Sequence, residues 1–178
     1  MLKKISKTLL VIIIAAVFLS ACKSDWNVKV DLKPEERVKI EKAIETSMGI
    51  IKEEQSKGGT GKAMSYVSLA RSYEKLGDRE KAIKLYKDAI DYGIFASAVH
   101  HNLGRLYEKV GEYNLAVKQY VILTDKFNEK NYLYDTTWAY IRGKNSEDAD
   151  KYYKMWQSYS GKTDASAEKA IKQLTINN

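Results

Sequence analysis

Two adjacent histidines, a lone cysteine and a glycine-rich hexapeptide are the parts of this 178-residue chain with the strongest claim on chemistry. His100 and His101 are consecutive. On one helix they would point about 100° apart, which does not suit a shared metal. No cysteine or carboxylate constellation stands with them, so His100 is expected to pack against a neighbouring helix. Residues 57–62 read Lys-Gly-Gly-Thr-Gly-Lys. A phosphate-cradling loop needs Gly-x4-Gly-Lys-Ser/Thr after a strand. Here Ser56 stands where the first glycine belongs, and Ala63 stands where a hydroxyl would hold magnesium. The hexapeptide therefore reads as a flexible joint. No serine sits in a nucleophile-elbow or Ser-x-x-Lys arrangement placed before a suitable helix. The carboxylates are scattered among lysines, as on solvated helical faces. The expectation is a non-catalytic chain with no metal and no diffusible cofactor.

Cys22 carries the remaining chemistry. Lys3, Lys4 and Lys7 precede an apolar run from Leu9 to Leu19, and Leu19-Ser20-Ala21-Cys22 closes it. The apolar run is short of the roughly 20 residues that span a bilayer. A basic start, a short apolar core and small residues at the end form a secretory signal. The last four residues resemble the lipobox of bacterial lipoproteins. That resemblance implies cleavage before Cys22, leaving residues 1–21 as a signal peptide, and diacylglycerol and N-acyl lipid on Cys22. Lys23 rather than aspartate follows the cysteine. By analogy with Gram-negative sorting, this places the chain on the periplasmic face of the outer membrane. In a single-membrane cell it would sit outside.

From Cys22 to Asn178 there are 157 residues, enough for one domain with a core. They hold 27 basic and 23 acidic residues, a net of about +4 without long like-charge runs. That balance does not indicate nucleic acid. Without a second cysteine the domain must be stable with no intrachain disulfide. Proline occurs once, at Pro34, and helix-forming residues dominate, so the fold is expected to be all-α.

The chain also repeats itself. Tyr66-x2-Leu69-Ala70-x2-Tyr73, Gly77 and Ala82-x3-Tyr86 return 34 positions later as His100-x2-Leu103-Gly104-x2-Tyr107, Gly111 and Ala116-x3-Tyr120. Period and residue types resemble the tetratricopeptide repeat. The resemblance implies an α-solenoid of antiparallel helix pairs, with repeats at 63–96 and 97–130. The repeat-ending proline is replaced by Ile94 and Asn128. A degenerate third repeat is expected over 131–162 at a period of 33, aligning Tyr140, Ala149 and Tyr153. There Thr136 and Thr137 replace the apolar-small pair, Lys144 replaces the glycine, and Ser146 looks like a helix start. Residues 34–56 form an N-terminal helix with the stripe Ile40, Ile44, Met48 and Ile51. Residues 163–178 form a C-terminal helix with Ala167, Ala170, Ile171 and Leu174 on one face. Repeats cannot bury their own apolar faces, so both helices are expected to cover the array's ends. Residues 22–33 are expected to be the lipidated cysteine and a tether reaching at most about 40 Å.

In such an array the first helix of each repeat lines a concave groove. The resemblance implies a protein-binding groove containing Arg71, Glu74, His101, Asn102, Arg105, Glu108, Tyr134 and Trp138. Arg71 and Arg105 occupy equivalent positions and would suit an acidic, aromatic-containing peptide. Alternatively each arginine pairs with Glu74 or Glu108 one turn on, worth about 0–1 kcal/mol. The chaperone-binding carboxylate clamp of this family is absent, since only Asn102 fits it. The expected function is a membrane-anchored adaptor or scaffold that binds envelope protein partners. The alternatives are a self-assembling structural lipoprotein, or an accessory subunit of an envelope enzyme or of a secretion, pilus or outer-membrane assembly machine.

Overall fold

The computed structural model describes residues 26–57, 63–93 and 96–177. The signal segment, Cys22, most of the glycine-rich joint and Ile94 lie outside the described residues. Eight α-helices account for most of the described chain: α1 (Pro34–Ser56), α2 (Ala63–Lys75), α3 (Arg79–Asp91), α4 (Ser97–Lys109), α5 (Tyr113–Val121), α6 (Leu133–Arg142), α7 (Ser146–Ser160) and α8 (Ala165–Ile176). No strand occurs among the described residues. Helix α5 continues into a π turn, Ile122–Lys126, and a short 3₁₀ turn follows at Lys130–Tyr132. Neighbours in sequence are neighbours in space, and the whole is an α-solenoid.

Three helix pairs share one turn. In the first, Gly77 takes φ +81° and the Asp78 amide donates back to the Tyr73 carbonyl at 2.9 Å. In the second, Gly111 takes φ +78° and Glu112 donates to Tyr107 at 2.9 Å. The third repeats the geometry without glycine: Lys144 takes φ +60° and Asn145 donates to Tyr140 at 3.0 Å. A left-handed residue after the last helical turn is what this C-terminal motif requires. The cap of α7 corrects one expectation: Asn145, not Ser146, accepts from the Asp148 amide, at 3.1 Å.

Small residues set the approach within each pair. Ala70, Ala82 and Ala116 are fully buried. At Gly104 a Cβ would lie 2.7 Å from the Tyr120 ring, so that ring occupies the space a side chain would need. In the third pair Thr136 and Thr137 take those places, fully buried, with hydroxyls donating to the Tyr132 and Leu133 carbonyls at 2.8 Å. The back-bonded hydroxyl presents a methyl group to the core and leaves no unmet donor.

The first core runs from α1 to α6 and includes Ile51, Leu69, Tyr86, Leu103, Leu106, Tyr120 and Leu123. A smaller one joins Ile141, Ala149, Tyr153, Ala167 and Ile171 where α8 covers the last pair. At the other end α1 packs on α2. Its buried residues are Ile40, Ser47 and Ile51; Met48, expected in the stripe, is 53% exposed. The buried face is thus rotated toward Ser47, whose small side chain permits close packing.

The expected tether is also corrected. Over its described part it docks on the array. Trp26 packs against the first core, the Val28 amide donates to the Gly77 carbonyl at 3.0 Å, and the Asn27 side-chain Oδ1 accepts from the Glu80 amide at 3.2 Å.

Candidate functional site

Helices α2, α4 and α6 carry the residues expected to line the groove. In α2 and α4 the inward positions repeat every 34 residues, and this register decides which charges meet. Glu74 does not pair with Arg71; it takes Lys109 from the next repeat, at 2.9 Å. Glu108 does not pair with Arg105; it takes Arg142 from the repeat beyond, and also accepts from the Tyr120 hydroxyl at 2.9 Å. Both expected pairs within a helix are therefore replaced by rungs between helices. The geometric reason is that the next helix presents a cation at the same height, within reach of the glutamate.

The consequence falls on the arginines. Arg71 and Arg105 are exposed, and among the described residues neither has an acidic group within ion-pair distance. Both guanidinium groups act electrostatically on the Tyr86 hydroxyl, each lowering its pKa. Burial, with Glu74 next, pushes that hydroxyl up to about 12. Its oxygen is fully buried, and Asn102 stands beside it without closing a hydrogen bond of full strength. The equivalent Tyr120 does have its glutamate. The two layers of the array are thus unequal: the one around Glu108 is closed on itself, and the one around Arg71 and Arg105 is open.

Asp135, an inward position of the third repeat, adds to the groove's charge. It occupies the position of Asn102 one repeat on, given the period of 33 that aligns Tyr107 with Tyr140. Burial holds its carboxyl above the usual range; His101, Arg105 and Arg142 act in the opposite sense, and Glu108 adds to the rise. His101 is half-buried, its ring 4.8 Å from that of Tyr132 and 6.3 Å from that of Tyr120. Burial lowers its pKa, so the imidazole is held neutral. His100 is buried, with Nδ1 2.9 Å from the Gln119 side-chain oxygen and its ring against Phe127.

Tyr134 and Trp138 are not brought to the arginines. Tyr134 donates to Asp164, the N-cap of α8, and its ring lies 4.8 Å from Trp156. Trp138 stands edge-on to Tyr134 and packs on the second core, with Arg142 over its ring. Both aromatics seat the last helix, because α8 needs an apolar surface to cover. The site that remains is therefore polar: Arg71, Arg105 and Asn102, with the Glu74–Lys109 rung beside them.

No cluster of histidine, cysteine and carboxylate groups among the described residues could hold a metal. No helix among them is long and apolar enough to cross a membrane.

The tetratricopeptide repeat family model matches residues 65–93 and 99–124. The crystal structure of MamA protein shares the fold, with a TM-score of 0.57 and 21% identity. That match covers 67% of this chain and 63% of the other, so it spans less than two thirds of its neighbour's length. No curated protein matches the chain. The family match falls on the two helix pairs at the centre of this α-solenoid, and α6 and α7 continue the array beyond it.

Proposed function

We propose that this protein is a membrane-anchored, non-catalytic adaptor of the bacterial envelope. It binds an acidic segment of a partner protein in the groove between α2 and α4. Repeat arrays of this kind are interaction modules, and the groove is where their successive first helices converge. One observation carries the reading: Arg71 and Arg105 stand exposed with no acidic partner among the described residues, while Glu74 and Glu108 are already taken by Lys109 and Arg142. Guanidinium groups left in that state favour a carboxylate supplied from outside. The aromatic preference expected from sequence finds no support, since Tyr134 and Trp138 are engaged with α8. The anchor is Cys22, on the strength of the lipobox and the short apolar run before it. With Lys23 following, the outer membrane's periplasmic face is the proposed site in a two-membrane cell.

The test uses fluorescent Glu-rich peptides and Gln-rich counterparts, titrated onto wild type and the Arg71→Glu/Arg105→Glu double variant. The expected result is selective binding of the acidic peptide, weakened at least about tenfold in the variant, with an unchanged melting temperature. A tenfold loss corresponds to about 1.4 kcal/mol. Equal binding of both peptides by both proteins would overturn the groove assignment.

A further inference from the structure

We propose that the segment Trp26–Lys33 orients the array on the membrane, and that the edge formed by the turns at 76–78, 110–112 and 143–145 faces the lipid headgroups. The proposal rests on the lipid anchor at Cys22. The segment is built into the fold at three points. Trp26 packs against the first core. The Asn27 side chain accepts from the Glu80 amide in the first turn of α3, satisfying a donor that a helix start leaves open. The Val28 amide donates to the carbonyl of Gly77.

Gly77 records the same docking. A Cβ there would lie 2.0 Å from the Val28 carbonyl oxygen and 2.8 Å from a Val30 methyl. At Gly111, the equivalent turn, a Cβ would meet nothing within 4 Å. Both turns need a left-handed residue, but the first also needs the bare backbone against which the segment lies.

The three turns form one edge. Arg79, just after the first turn, donates to the Lys109 carbonyl beside the second, at 3.1 Å. A Cβ on Gly143, in the third turn, would lie 3.3 Å from the Asn114 side chain, just after the second turn. From Trp26 back to Cys22 there are four residue steps, spanning at most about 14 Å. An anchor on that leash keeps the turn edge toward the bilayer. A free tether over 22–33 would reach about 40 Å and leave the array unoriented. Lys75, Arg79, Lys109 and Lys144 share the edge with Asp78, Glu80, Glu112 and Glu147, so its charge is nearly balanced. The short leash, not attraction to anionic lipid, therefore sets the orientation.

The experiment uses the full acylated chain on phosphatidylcholine vesicles containing nickel-chelating headgroups. A spin label is placed at Glu112→Cys on the turn edge or at Asp91→Cys, where α3 ends on the opposite edge. Faster relaxation at position 112 than at 91, by severalfold, is expected. In the Trp26→Ala/Asn27→Ala background the two rates should converge; Asn27→Ala alone should narrow the gap if the double variant unfolds. Equal rates in the wild-type background on vesicle-bound protein would overturn the orientation and leave the anchor standing. Failure of the acylated chain to float with vesicles would overturn the anchor and the orientation together.

Discussion

Asp135 shows how a single side chain can work against the fold it belongs to. Its carboxyl is raised above the ordinary range, by burial first, so the folded state binds its proton more tightly than the unfolded chain does. Stability therefore falls as pH rises from the ordinary carboxylate value of 3.8 through the raised folded value. Asp135→Asn removes that penalty. The variant should melt above wild type at pH 7, and the difference should close below pH 4. For a domain of this size each kcal/mol moves Tm by about 2–4 °C. A lower Tm at pH 7 would show that attraction to Arg105 and Arg142 outweighs burial. Residue-scale reading from sequence was uneven for a related reason. Arg71 and Arg105 stood out because periodicity aligns them, but their pairing did not, because Lys109 and Arg142 come from other helices. Tyr134 and Trp138 sit at inward positions of the repeat, yet a covering helix outside the repeat pattern claims them.

At the scale of the element, the contact between α4 and α5 depends on Gly104. The Tyr120 ring lies where its Cβ would be, is itself buried, and donates to Glu108, so it cannot swing aside. Gly104→Ala should cost about 1–3 kcal/mol through overpacking. Gly49, inside α1, has nothing within 4 Å of an added Cβ. Gly49→Ala should instead stabilise by about 0.5–1 kcal/mol, through backbone entropy alone. Thermal melts of the two variants should move in opposite directions, and a neutral Gly104→Ala would mean that the helix contact is looser than the structure has it. The helix pairs were legible because small residues, turn residues and aromatics recur at a fixed period. The third pair was harder to read for two physical reasons. Buried threonines can substitute for Leu and Ala by bonding their own helix, and lysine can occupy a left-handed turn when its backbone bonds are met. The docking of residues 26–33 had no periodic signal at all, since it depends on backbone hydrogen bonds to a turn some 50 residues away.

Across the whole molecule, stability is divided between two cores that meet at α6. Ala139 belongs to the first core, while Ile141 belongs to the second. A linear array transmits the loss of one end only to its neighbour. Ending the chain after Gly161 removes α8, uncovers Ile141, Ala149 and Tyr153, and leaves the Tyr153 hydroxyl without Glu168. Hydrogen exchange should then accelerate strongly at the amides of α6 and α7, while those of α2 and α3 keep most of their protection. The docked segment at the opposite end should behave likewise, with the Val28 amide unaffected by the truncation. Uniform acceleration over all helices would reveal a single cooperative unit and contradict the division into two cores. The distinction bears on function, because the open layer at Arg71 and Arg105 lies within the first core's helices. If the ends unfold independently, acidic-peptide binding survives the loss of α8, and the groove is a property of the two central repeats.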